Sequence, residues 1–409
     1  MALDKTNTGP LAGTIVLDLT SVLMGPYCTQ ILGDMGADVI KVESPIGDNS
    51  RQGGITKTPG LPAGFLVLNR NKRSIIIDFK KPAGRKALLR MATKADVLVH
   101  NLRPHTIEGL GLGYAALKEA NPGLIFCGMY GFGSRGRYAE KAAYDDIIQA
   151  GSGFAFLQEK IVGRPAYLPS VIADKVAGLV GANAIAMALV HKARTGEGQE
   201  IEVPMYETMS AFALIEHLGG SVFVPPISPP VYARVVSPFR RPYKTATGYL
   251  GVLVYNNKQW EVFLKLIGRP DLVGSEMFAS MASRLRNIDK VYGFVEDTLK
   301  TKSAEEWLPL LEKAEIPVMP VNSIADLLVD GHLDDVDFFR TVEHETEGTM
   351  RFPDVTTRYS RTPGTVRRMG PRHGENTKEV LAQFGFAEDE VSALLEGKAV
   401  AQHQAARPA

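Results

Sequence analysis

The sequence predicts an α/β fold, in which a mainly parallel sheet is covered by helices on both faces. Short β-branched segments alternate with amphipathic segments along the first half of the chain, a pattern typical of parallel sheets. Pro26 and Gly36 suit the two ends of the first predicted helix. The 409 residues exceed the length at which a single core stops growing, about 250 to 300 residues, so we expect two domains.

The predicted strands and helices follow in order from the N-terminus. Residues 14–19 and 37–43 form a β-branched pair of strands around an amphipathic helix at 27–36. The further predicted elements are a strand at 73–79, a helix at 83–95, a strand at 96–100, a helical segment at 106–120, a strand at 124–129, a long helix at 174–194 and a strand at 200–205. Asp174 suits the N-cap of the long helix.

A proline-rich segment at residues 223–242 interrupts this alternation and predicts a linker between domains. We place a large domain at 10–222 and a small α/β domain at 243–325. A return segment at 326–400 is expected to complete the large domain.

Charge and composition exclude several classes of partner. The chain has 46 Lys and Arg against 45 Asp and Glu, so its net charge of +1 provides no field for nucleic acid or an anionic membrane. The apolar run at 177–190 is shorter than the roughly 20 residues that span a bilayer and predicts a buried helix. The first 13 residues lack the features of a secretory signal, and Cys28 and Cys127 are too few for a disulfide framework. We therefore expect a cytoplasmic protein.

Sequence motifs for nucleotides, metals and serine nucleophiles are absent. The first βα turn lacks G-x-G-x-x-G, and no P-loop occurs. The eight histidines are scattered, without a Cys/His cluster or H-E-x-x-H, and no G-x-S-x-G occurs. We expect no metal site and no tightly bound cofactor.

Seven segments, in order, resemble the class III CoA-transferases, a family that includes formyl-CoA, carnitine and dicarboxylate CoA-transferases and the α-methylacyl-CoA racemases. The segments are LAGTIVLDLTSVLMGPYCTQILGDMGADVIKVE, NRNKRSIIIDFKKPAGRKALL, ADVLVHNLRPHTIEGLGLGY, YDDIIQAGSG, VIADKVAGLVGANAIAMALVHKARTGEGQEIEVPMYE, IPVMPVNSIADLL and GENTKEVLAQFGF. The resemblance implies a Rossmann-like large domain built from both chain ends, with the small domain inserted. It also implies an interlocked homodimer whose active site lies between the large domain of one subunit and the small domain of its partner.

The resemblance places the nucleophile at Asp174, in VIADKVAG. In this chemistry the carboxylate attacks an acyl-CoA thioester, and the coenzyme is carried as an aspartyl thioester before its transfer to a second acid. A helix N-terminus offers positive potential, which we expect to keep Asp174 ionised at neutral pH. An ordinary helix N-cap is the alternative role, and the two roles are compatible.

The resemblance also implies four groups of residues that contact the CoA thioester: Val22, Leu23 and Met24; Ile77, Asp78, Phe79 and Lys80; Asn101, Leu102 and Arg103; and Ala142, Ala143, Tyr144 and Asp145. Leu23 departs from the glutamine that some relatives have, so its side chain offers no polar contact. Lys80 and Arg103 are candidate phosphate partners, or simply solvated charges. Tyr144 either lines the thioester site or is an amphipathic core residue.

Three functions follow from the resemblance. The first is CoA transfer between an acyl-CoA and a small acid, with a dicarboxylate such as succinate expected. The second is α-methylacyl-CoA racemisation, but racemases have a histidine where this chain has Tyr144, and tyrosine is a weak base at neutral pH. The third is a CoA-binding dimer without catalysis. The glycine-rich lid of formyl-CoA transferases is absent, and Arg240 and Arg241 either meet a second carboxylate or face solvent.

Overall fold

The structure is a computed structural model that describes residues 6–403. Residues 1–5 of the segment considered above for a secretory signal lie outside this range. The strands are β1 (Ile15–Leu19), β2 (Asp38–Glu43), β3 (Lys72–Ile77), β4 (Val97–His100), β5 (Ile125–Tyr130), β6 (Glu200–Pro204), β7 (Tyr243–Lys244), β8 (Tyr249–Val252), β9 (Val318–Pro320), β10 (Phe339–His344), β11 (Gly348–Pro353) and β12 (Val400–Ala401).

The α-helices alternate with these strands in the first half of the chain and dominate the second half. They are α1 (Met24–Asp34), α2 (Ala63–Leu68), α3 (Pro82–Ala92), α4 (Pro104–Gly109), α5 (Tyr114–Ala120), α6 (Asp145–Gly151), α7 (Phe154–Val162), α8 (Ile172–Thr195), α9 (Met205–His217), α10 (Asn257–Leu266), α11 (Met281–Arg286), α12 (Ile288–Leu299), α13 (Ala304–Lys313), α14 (Ile324–Leu327), α15 (Gly331–Asp335), α16 (Thr377–Gln383) and α17 (Glu388–Glu396).

The large sheet has seven strands in the order β12, β3, β2, β1, β4, β5, β6. The six strands β1 to β6 are parallel, and only the short edge strand β12 runs antiparallel, with Val400 opposite Ile77. The order of the parallel strands is that of a Rossmann fold. The predicted α/β class and parallel sheet are therefore confirmed.

Helices cover both faces of this sheet because side chains alternate along each strand. On β1, Leu17 packs into a core cluster that includes Leu88 of α3 and Val380 of α16. Asp18, the next residue, points to the opposite face and accepts a hydrogen bond from Thr29 of α1 at 2.7 Å. The two faces thus carry different helices.

Helix α8 is longer and less buried than its apolar run predicted. It spans 24 residues and begins before Asp174, and by length and composition alone it is apolar enough to cross a bilayer, a test that the core helices of folded domains also pass. Only 39% of its most apolar 18-residue stretch is buried within the chain, so α8 is less buried than the expected buried helix. Leu179 and Met187 are about half exposed or more, at 51% and 61%.

The predicted helical segment at 106–120 is two helices, α4 and α5, rather than one. Gly111 lies between them with φ +70°, a left-handed conformation that ends a right-handed helix and favours glycine. The two glycines at 111 and 113 were the sequence signal for this break.

The chain divides into two compact units. The first consists of the segment that ends at Ser152, of Pro169–Ala211, and of the segment that begins at His332, and the second consists of Gly153–Leu168 and Phe212–Gly331. These bounds differ from the sequence-based ranges, since the second unit begins before the proline-rich linker, includes α7 and continues beyond residue 325. Residues 223–242 contain no helix or strand.

The second unit has its own sheet and core. Strands β7, β8 and β9 form a three-stranded antiparallel sheet in this order. Its core is rich in aromatic residues, and Trp260, Phe263 and Trp307 are all at most 3% exposed. Trp260 is therefore a core residue.

The last part of the chain returns to the first unit. Strands β10 and β11 form an antiparallel hairpin that the sequence analysis did not predict. Helices α16 and α17 follow, and β12 then pairs with β3 at the edge of the large sheet.

Candidate active site

The candidate site lies at the carboxyl edge of the large sheet. The strand order reverses between β1 and β4, and the loops that follow these two strands diverge there, which is where ligands bind in open α/β sheets. The loops after β1, β3, β4 and β5 carry the residues that the family resemblance assigned to CoA. The sheet therefore brings segments that are far apart in sequence to one edge.

Asn101 joins the loops on either side of the reversal. Its side-chain amide donates to the Ser21 carbonyl at 2.9 Å, and its carbonyl accepts from the Ser21 N–H at 3.1 Å. This two-bond link fixes the turn after β1 against the turn after β4. Asn101 thus has a structural role in addition to its predicted contact with CoA.

Asp174 is the third residue of α8, not its N-cap. Val171 occupies the N-cap position, and the helix begins at Ile172. The capping acceptor comes from another helix, because the Asp145 Oδ1 atom accepts hydrogen bonds from the N–H groups of Ala173, at 2.7 Å, and Asp174, at 3.2 Å. The predicted N-cap role of Asp174 was therefore wrong, and its carboxylate has no hydrogen-bond or ion-pair partner among residues 6–403.

Two like charges lie side by side at this helix end. Burial and the neighbouring Asp145 carboxylate raise the pKa of Asp174 to about 6. This direction is opposite to the one expected from the helix N-terminus, whose positive end is already occupied by Asp145. Asp174 is still roughly nine-tenths ionised at pH 7, and its higher proton affinity makes it a stronger nucleophile than an ordinary carboxylate.

Asp145 is held rigidly. Its Oδ2 atom accepts from the Gln149 side-chain amide at 2.6 Å, and the same amide donates to the Ser170 carbonyl at 3.1 Å. The residue is only 5% exposed, and both of its carboxylate oxygens are engaged within the protein. These contacts place Asp145 beneath Asp174 as a positioning residue, which the CoA-contact assignment did not anticipate.

A pH profile tests this arrangement. The nucleophile expected at Asp174 is the ionised carboxylate, so activity should fall as pH drops through about 6. Replacing Asp145 with Asn removes the like charge but keeps an acceptor for the α8 N–H groups, so the acidic limb should move to lower pH. The measurement is kcat/KM between about pH 5 and pH 8. Asp146→Asn, on the exposed side of α6, is the matched control and should leave the limb in place. An unmoved limb in Asp145→Asn would contradict this account.

Packing of α8 on α1 brings Asp174 to the turn after β1. A side-chain carbon at Gly178 would come within 2.9 Å of the Met24 carbonyl oxygen, and one at Gly181 would lie 3.2 Å from Cys28 Sγ. The two contacts advance together along both helices, so α1 and α8 run in the same direction. Asp174 is one helical turn before Gly178 on the same face, which places it at the N-terminal end of α1.

The turn before α1 has an unusual backbone. Val22 has φ +72°, a conformation that β-branched residues rarely adopt. Its N–H donates to Asp48 Oδ1 at 3.1 Å. The N–H groups of Met24 and Gly25 have no intrahelical acceptor, because they belong to the first turn of α1. These donors lie at the N-terminal end of α1, which is also where Asp174 lies.

A buried charge network holds this turn. Lys41 Nζ donates to the Thr20 carbonyl at 3.0 Å and lies 2.8 Å from Asp48 Oδ2. Asp18 accepts from the Thr20 N–H at 2.9 Å, and Lys72 lies 2.9 Å from Asp18. Burial alone would raise the pKa of Asp48, but the neighbouring Lys41 charge lowers this pKa to about 2.

The sequence analysis missed this network, although a signal for it exists. Asp18, Lys41, Glu43 and Lys72 lie within strongly apolar strands, where charged residues are rare unless they are paired. They project from the face of the sheet opposite to the Leu17 cluster. Charges at alternate strand positions therefore indicated a buried polar layer.

We expect Asp48→Ala to reduce turnover. Without its Oδ1 acceptor the Val22 backbone relaxes, and the active-site turn loses its geometry. A displacement of about 1 Å at such a turn costs on the order of 10²-fold in rate. The check is kcat at saturating substrate, measured together with the thermal midpoint. An unchanged kcat in a folded variant would contradict the positioning role.

The residues after β3 and β4 divide into core and surface. The Ile77 side chain is fully buried in the sheet core, so only main-chain atoms of this residue are left for a ligand, and Phe79 and Leu102 pack against the same core. Asp78 accepts from the Lys80 N–H at 2.9 Å and shapes the turn. Lys80 and Arg103 are exposed and in no ion pair within residues 6–403.

The loop after β5 carries the last group. Ala143 folds onto Gly131, where a side-chain carbon would lie 2.2 Å from Ala143 Cβ, so only glycine fits at 131. Tyr144 is 69% exposed, which argues against its alternative role as a core residue of this chain. Ala142 is also exposed.

No metal site is evident in the part of the chain that the structure describes: no three His, Cys, Asp or Glu side chains are arranged to hold an ion. Cys28 and Cys127 are buried free thiols. Burial raises the pKa of Cys127 to about 12, so this residue stays a thiol at neutral pH.

The chain is similar to known proteins over most of its length. The family model described as CoA-transferase family III matches residues 11–377. The chain is 32% identical over 396 residues to the succinyl-CoA–L-malate CoA-transferase beta subunit of Chloroflexus aurantiacus, covering 95% of this chain and 98% of that one. It is 33% identical over 387 residues to a succinate–glutarate CoA-transferase of Agrobacterium fabrum, covering 92% and 96%. The crystal structure of Rv3272 from Mycobacterium tuberculosis aligns with a TM-score of 0.78 and 30% identity, covering 92% of this chain and 100% of that one.

Proposed function

The chain belongs to CoA-transferase family III and is a transferase, and from this premise we propose that it moves CoA between short dicarboxylic acids through a covalent intermediate on Asp174. One observation carries the proposal: an unpaired, half-buried carboxylate at a helix end, with its pKa raised to about 6, at the carboxyl edge of the sheet. The carboxylate is partly exposed at this edge, and its raised proton affinity makes it a better nucleophile.

The reaction follows from carboxylate chemistry. Asp174 attacks the thioester carbonyl of the donor, which forms a mixed anhydride and releases CoA thiolate. The thiolate attacks the aspartyl carbonyl, so the donor acid leaves as a carboxylate and an aspartyl-CoA thioester remains. The acceptor carboxylate then attacks this thioester, again giving an anhydride and thiolate. Attack of the thiolate on the acceptor's carbonyl releases the new acyl-CoA and regenerates Asp174.

The protein's own groups support these steps. The N–H groups of Met24 and Gly25 are the donors that we assign to the developing oxyanion, and the link between Ser21 and Asn101 fixes their turn. Lys80 and Arg103 are exposed cations that we assign to the phosphates of CoA. The other proposed CoA contacts are Val22, Leu23, the main chain of Ile77, Asp78, Phe79, Leu102, Ala142, Ala143 and Tyr144. Asp145 is reassigned from CoA contact to the positioning of Asp174. We propose no tightly bound cofactor.

The substrate class rests on the relatives. The names of the two curated proteins pair succinyl-CoA or succinate with L-malate or glutarate. We propose succinyl-CoA as donor and a four- or five-carbon dicarboxylate as acceptor. We also propose a cytoplasmic location.

We propose that a second copy of the chain covers the apolar side of α8. Val180 and Val190 are 41% and 47% exposed, in addition to Leu179 and Met187 on the same helix. Exposed apolar side chains in such number on one helix mark interaction surfaces. An interlocked homodimer with the small domain inserted in the large one would cover them. Light scattering would contradict this if the pure chain were monomeric, or if it paired only with a second, different subunit.

The function is tested by product analysis. The protein is incubated with succinyl-CoA and glutarate, and glutaryl-CoA is measured by chromatography and mass spectrometry. The racemase alternative predicts deuterium uptake at the α-carbon of 2-methylacyl-CoA without acyl exchange, and the non-catalytic alternative predicts CoA binding with neither reaction. Either outcome would refute the proposed transfer.

A further inference from the structure

A buried ion pair closes the loop that follows β2. Arg51 Nη2 and Nε donate to the two carboxylate oxygens of Glu43, at 2.6 and 2.7 Å. Both residues are at most 6% exposed, and the guanidinium of Arg51 lies 3.9 Å from the ring centre of Phe65. Pairing at two points fixes both the distance and the orientation of the two groups. Arg51 therefore holds the end of this loop against the last residue of β2.

Asp48 lies within the closed loop and connects it to the turn before α1. Its N–H donates to Glu43 Oε2 at 3.1 Å, and its carbonyl oxygen accepts from the Arg51 N–H at 3.0 Å. Its Oδ1 atom accepts from the Ser50 N–H at 2.9 Å and from the Val22 N–H at 3.1 Å. The two members of the ion pair thus hold the main chain of Asp48, and the side chain of Asp48 holds Val22.

Glu43 takes part in this arrangement as an anion. Burial alone would raise the pKa of Glu43, but the hydrogen bonds from Arg51 and the charge of Lys41 lower this pKa. An ionised carboxylate is an acceptor at both of its oxygens, so it can hold the Asp48 N–H and the Arg51 guanidinium at the same time.

Segments from both ends of the chain meet at this ion pair. Arg51 Nη1 donates to the carbonyl of Pro371, which is 320 residues away in sequence, at 3.0 Å. The Ser74 hydroxyl donates to Glu43 Oε1 at 2.7 Å and accepts from the Gly374 N–H at 2.9 Å. The return segment therefore contacts Arg51 directly and Glu43 through one hydroxyl.

We infer that Arg51 is a positioning residue of the transfer reaction, which acts through Glu43 and Asp48 on the backbone of Val22. The inference rests on the proposed function, since it concerns the turn whose N–H groups we assigned to the oxyanion. Val22 has φ +72°, and a β-branched residue keeps such a conformation only where its surroundings hold it. Without the two-point pairing of Arg51 with Glu43, Asp48 moves and the Val22 N–H loses its acceptor.

Arg51→Lys tests this role, because lysine keeps the positive charge but lacks the rigid planar fork that pairs with both carboxylate oxygens. We expect kcat for transfer from succinyl-CoA to glutarate to fall about tenfold or more, since a displaced turn misaligns the oxyanion donors. The rate is measured well below the thermal midpoint of each variant, so that unfolding does not contribute. An unchanged kcat in folded Arg51→Lys would overturn the inference.

Arg70→Lys is the matched control. Arg70 is also buried, donates to both carboxylate oxygens of Asp34, and donates to a carbonyl of the return segment, that of Pro353. Asp34 is the last residue of α1, about 15 Å along the helix from its first turn, at 1.5 Å per residue. Arg70→Lys should lower the thermal midpoint as Arg51→Lys does but keep its kcat. An equal fall of kcat in both variants would indicate a general loss of stability and would refute the positioning role.

A double variant tests whether Arg51 acts through Asp48. If it does, adding Arg51→Lys to Asp48→Ala should slow the reaction no further, because the link to Val22 is already broken. Effects that multiply would show that the two residues act independently and would contradict the inference. Glu43→Gln, which keeps the size of the side chain, tests the same link if Arg51→Lys does not fold. It should lower kcat as well, and an unchanged kcat there would count against the inference.

Hydrogen exchange separates this inference from the proposed function. Peptides that contain residues 20–25 should exchange faster in Arg51→Lys than in the wild type, and not in Arg70→Lys, whether or not the protein transfers CoA. If the wild-type protein shows no transfer but the variants show this pattern, the proposed function fails and the link from Arg51 to the turn stands. Unchanged exchange of these peptides in Arg51→Lys would refute the link whatever the activity.

Discussion

Asp174→Ala is expected to abolish CoA transfer and to prevent any covalent adduct. Removal of a nucleophile that forms the intermediate typically lowers the rate by about 10³- to 10⁶-fold. In the wild-type protein, incubation with succinyl-CoA followed by hydroxylamine should convert Asp174 to a hydroxamate, and borohydride should reduce it to an alcohol. Peptide mass spectrometry locates either product.

The loss must come from chemistry and not from unfolding. The pKa of Asp174 is raised in the folded state, so its charged form costs stability above the ordinary pKa of an aspartate. Asp174→Ala should therefore melt at the same temperature as the wild type, or higher. Asp146→Asn is the control for removing an aspartate near the site and should keep full labelling at Asp174. An adduct at any other residue in Asp174→Ala would refute the assignment of Asp174 as the nucleophile.

Lys72→Met is expected to lower stability more than any other substitution considered for this protein. The Lys72 ammonium is fully buried and donates to Asp18 Oδ2, the Pro26 carbonyl and Asn69 Oδ1, each at 2.9 Å. Removing it leaves these acceptors without their donor and weakens the compensation of the Asp18 charge. Breaking one side of a buried ion pair typically costs about 3 to 5 kcal/mol.

Urea and thermal unfolding measure this effect. Lys86→Met is the matched control, since Lys86 is exposed on α3 and should change the free energy of unfolding by less than about 0.5 kcal/mol. The double variant Asp18→Asn with Lys72→Met should recover part of the loss, because the buried negative charge is then removed as well. Equal unfolding midpoints for Lys72→Met and Lys86→Met would show that the network contributes little.

The alternation of strands and helices predicted the large sheet well, because this pattern is carried by residues that are neighbours in the sequence. The strands at 14–19 and 37–43 lie within one residue of β1 and β2 at each end. The hairpin of β10 and β11 was missed, since its strands are mainly polar and carry little alternation. The length of α8 was underestimated because Asp174 suits an N-cap, whereas the helix begins at Ile172.

In the candidate site, too, features carried by neighbouring residues were predicted and features formed by distant residues were not. Asp174 was found from a family resemblance carried by local motifs, and the link between Ser21 and Asn101 was not, although both residues lie in those motifs. The sequence predicted Asp174 as the N-cap of α8, whereas the capping acceptor in the structure is Asp145, which is 29 residues away in sequence. Of Arg240 and Arg241, the two arginines that the sequence analysis considered for a second carboxylate, the structure pairs Arg241 with Glu296.

By itself the sequence determined the α/β class, the order of the strands along the chain, the family and the candidate nucleophile, because hydrophobic periodicity and short motifs are properties of neighbouring residues. Tertiary structure alone decided which charges are compensated and which are not. It showed that Asp145 raises the pKa of Asp174, that Lys41 and Lys72 neutralise a buried layer, and that Glu296 pairs with Arg241. Electrostatic energy depends on distance and burial in space, and those are fixed only when distant segments pack together.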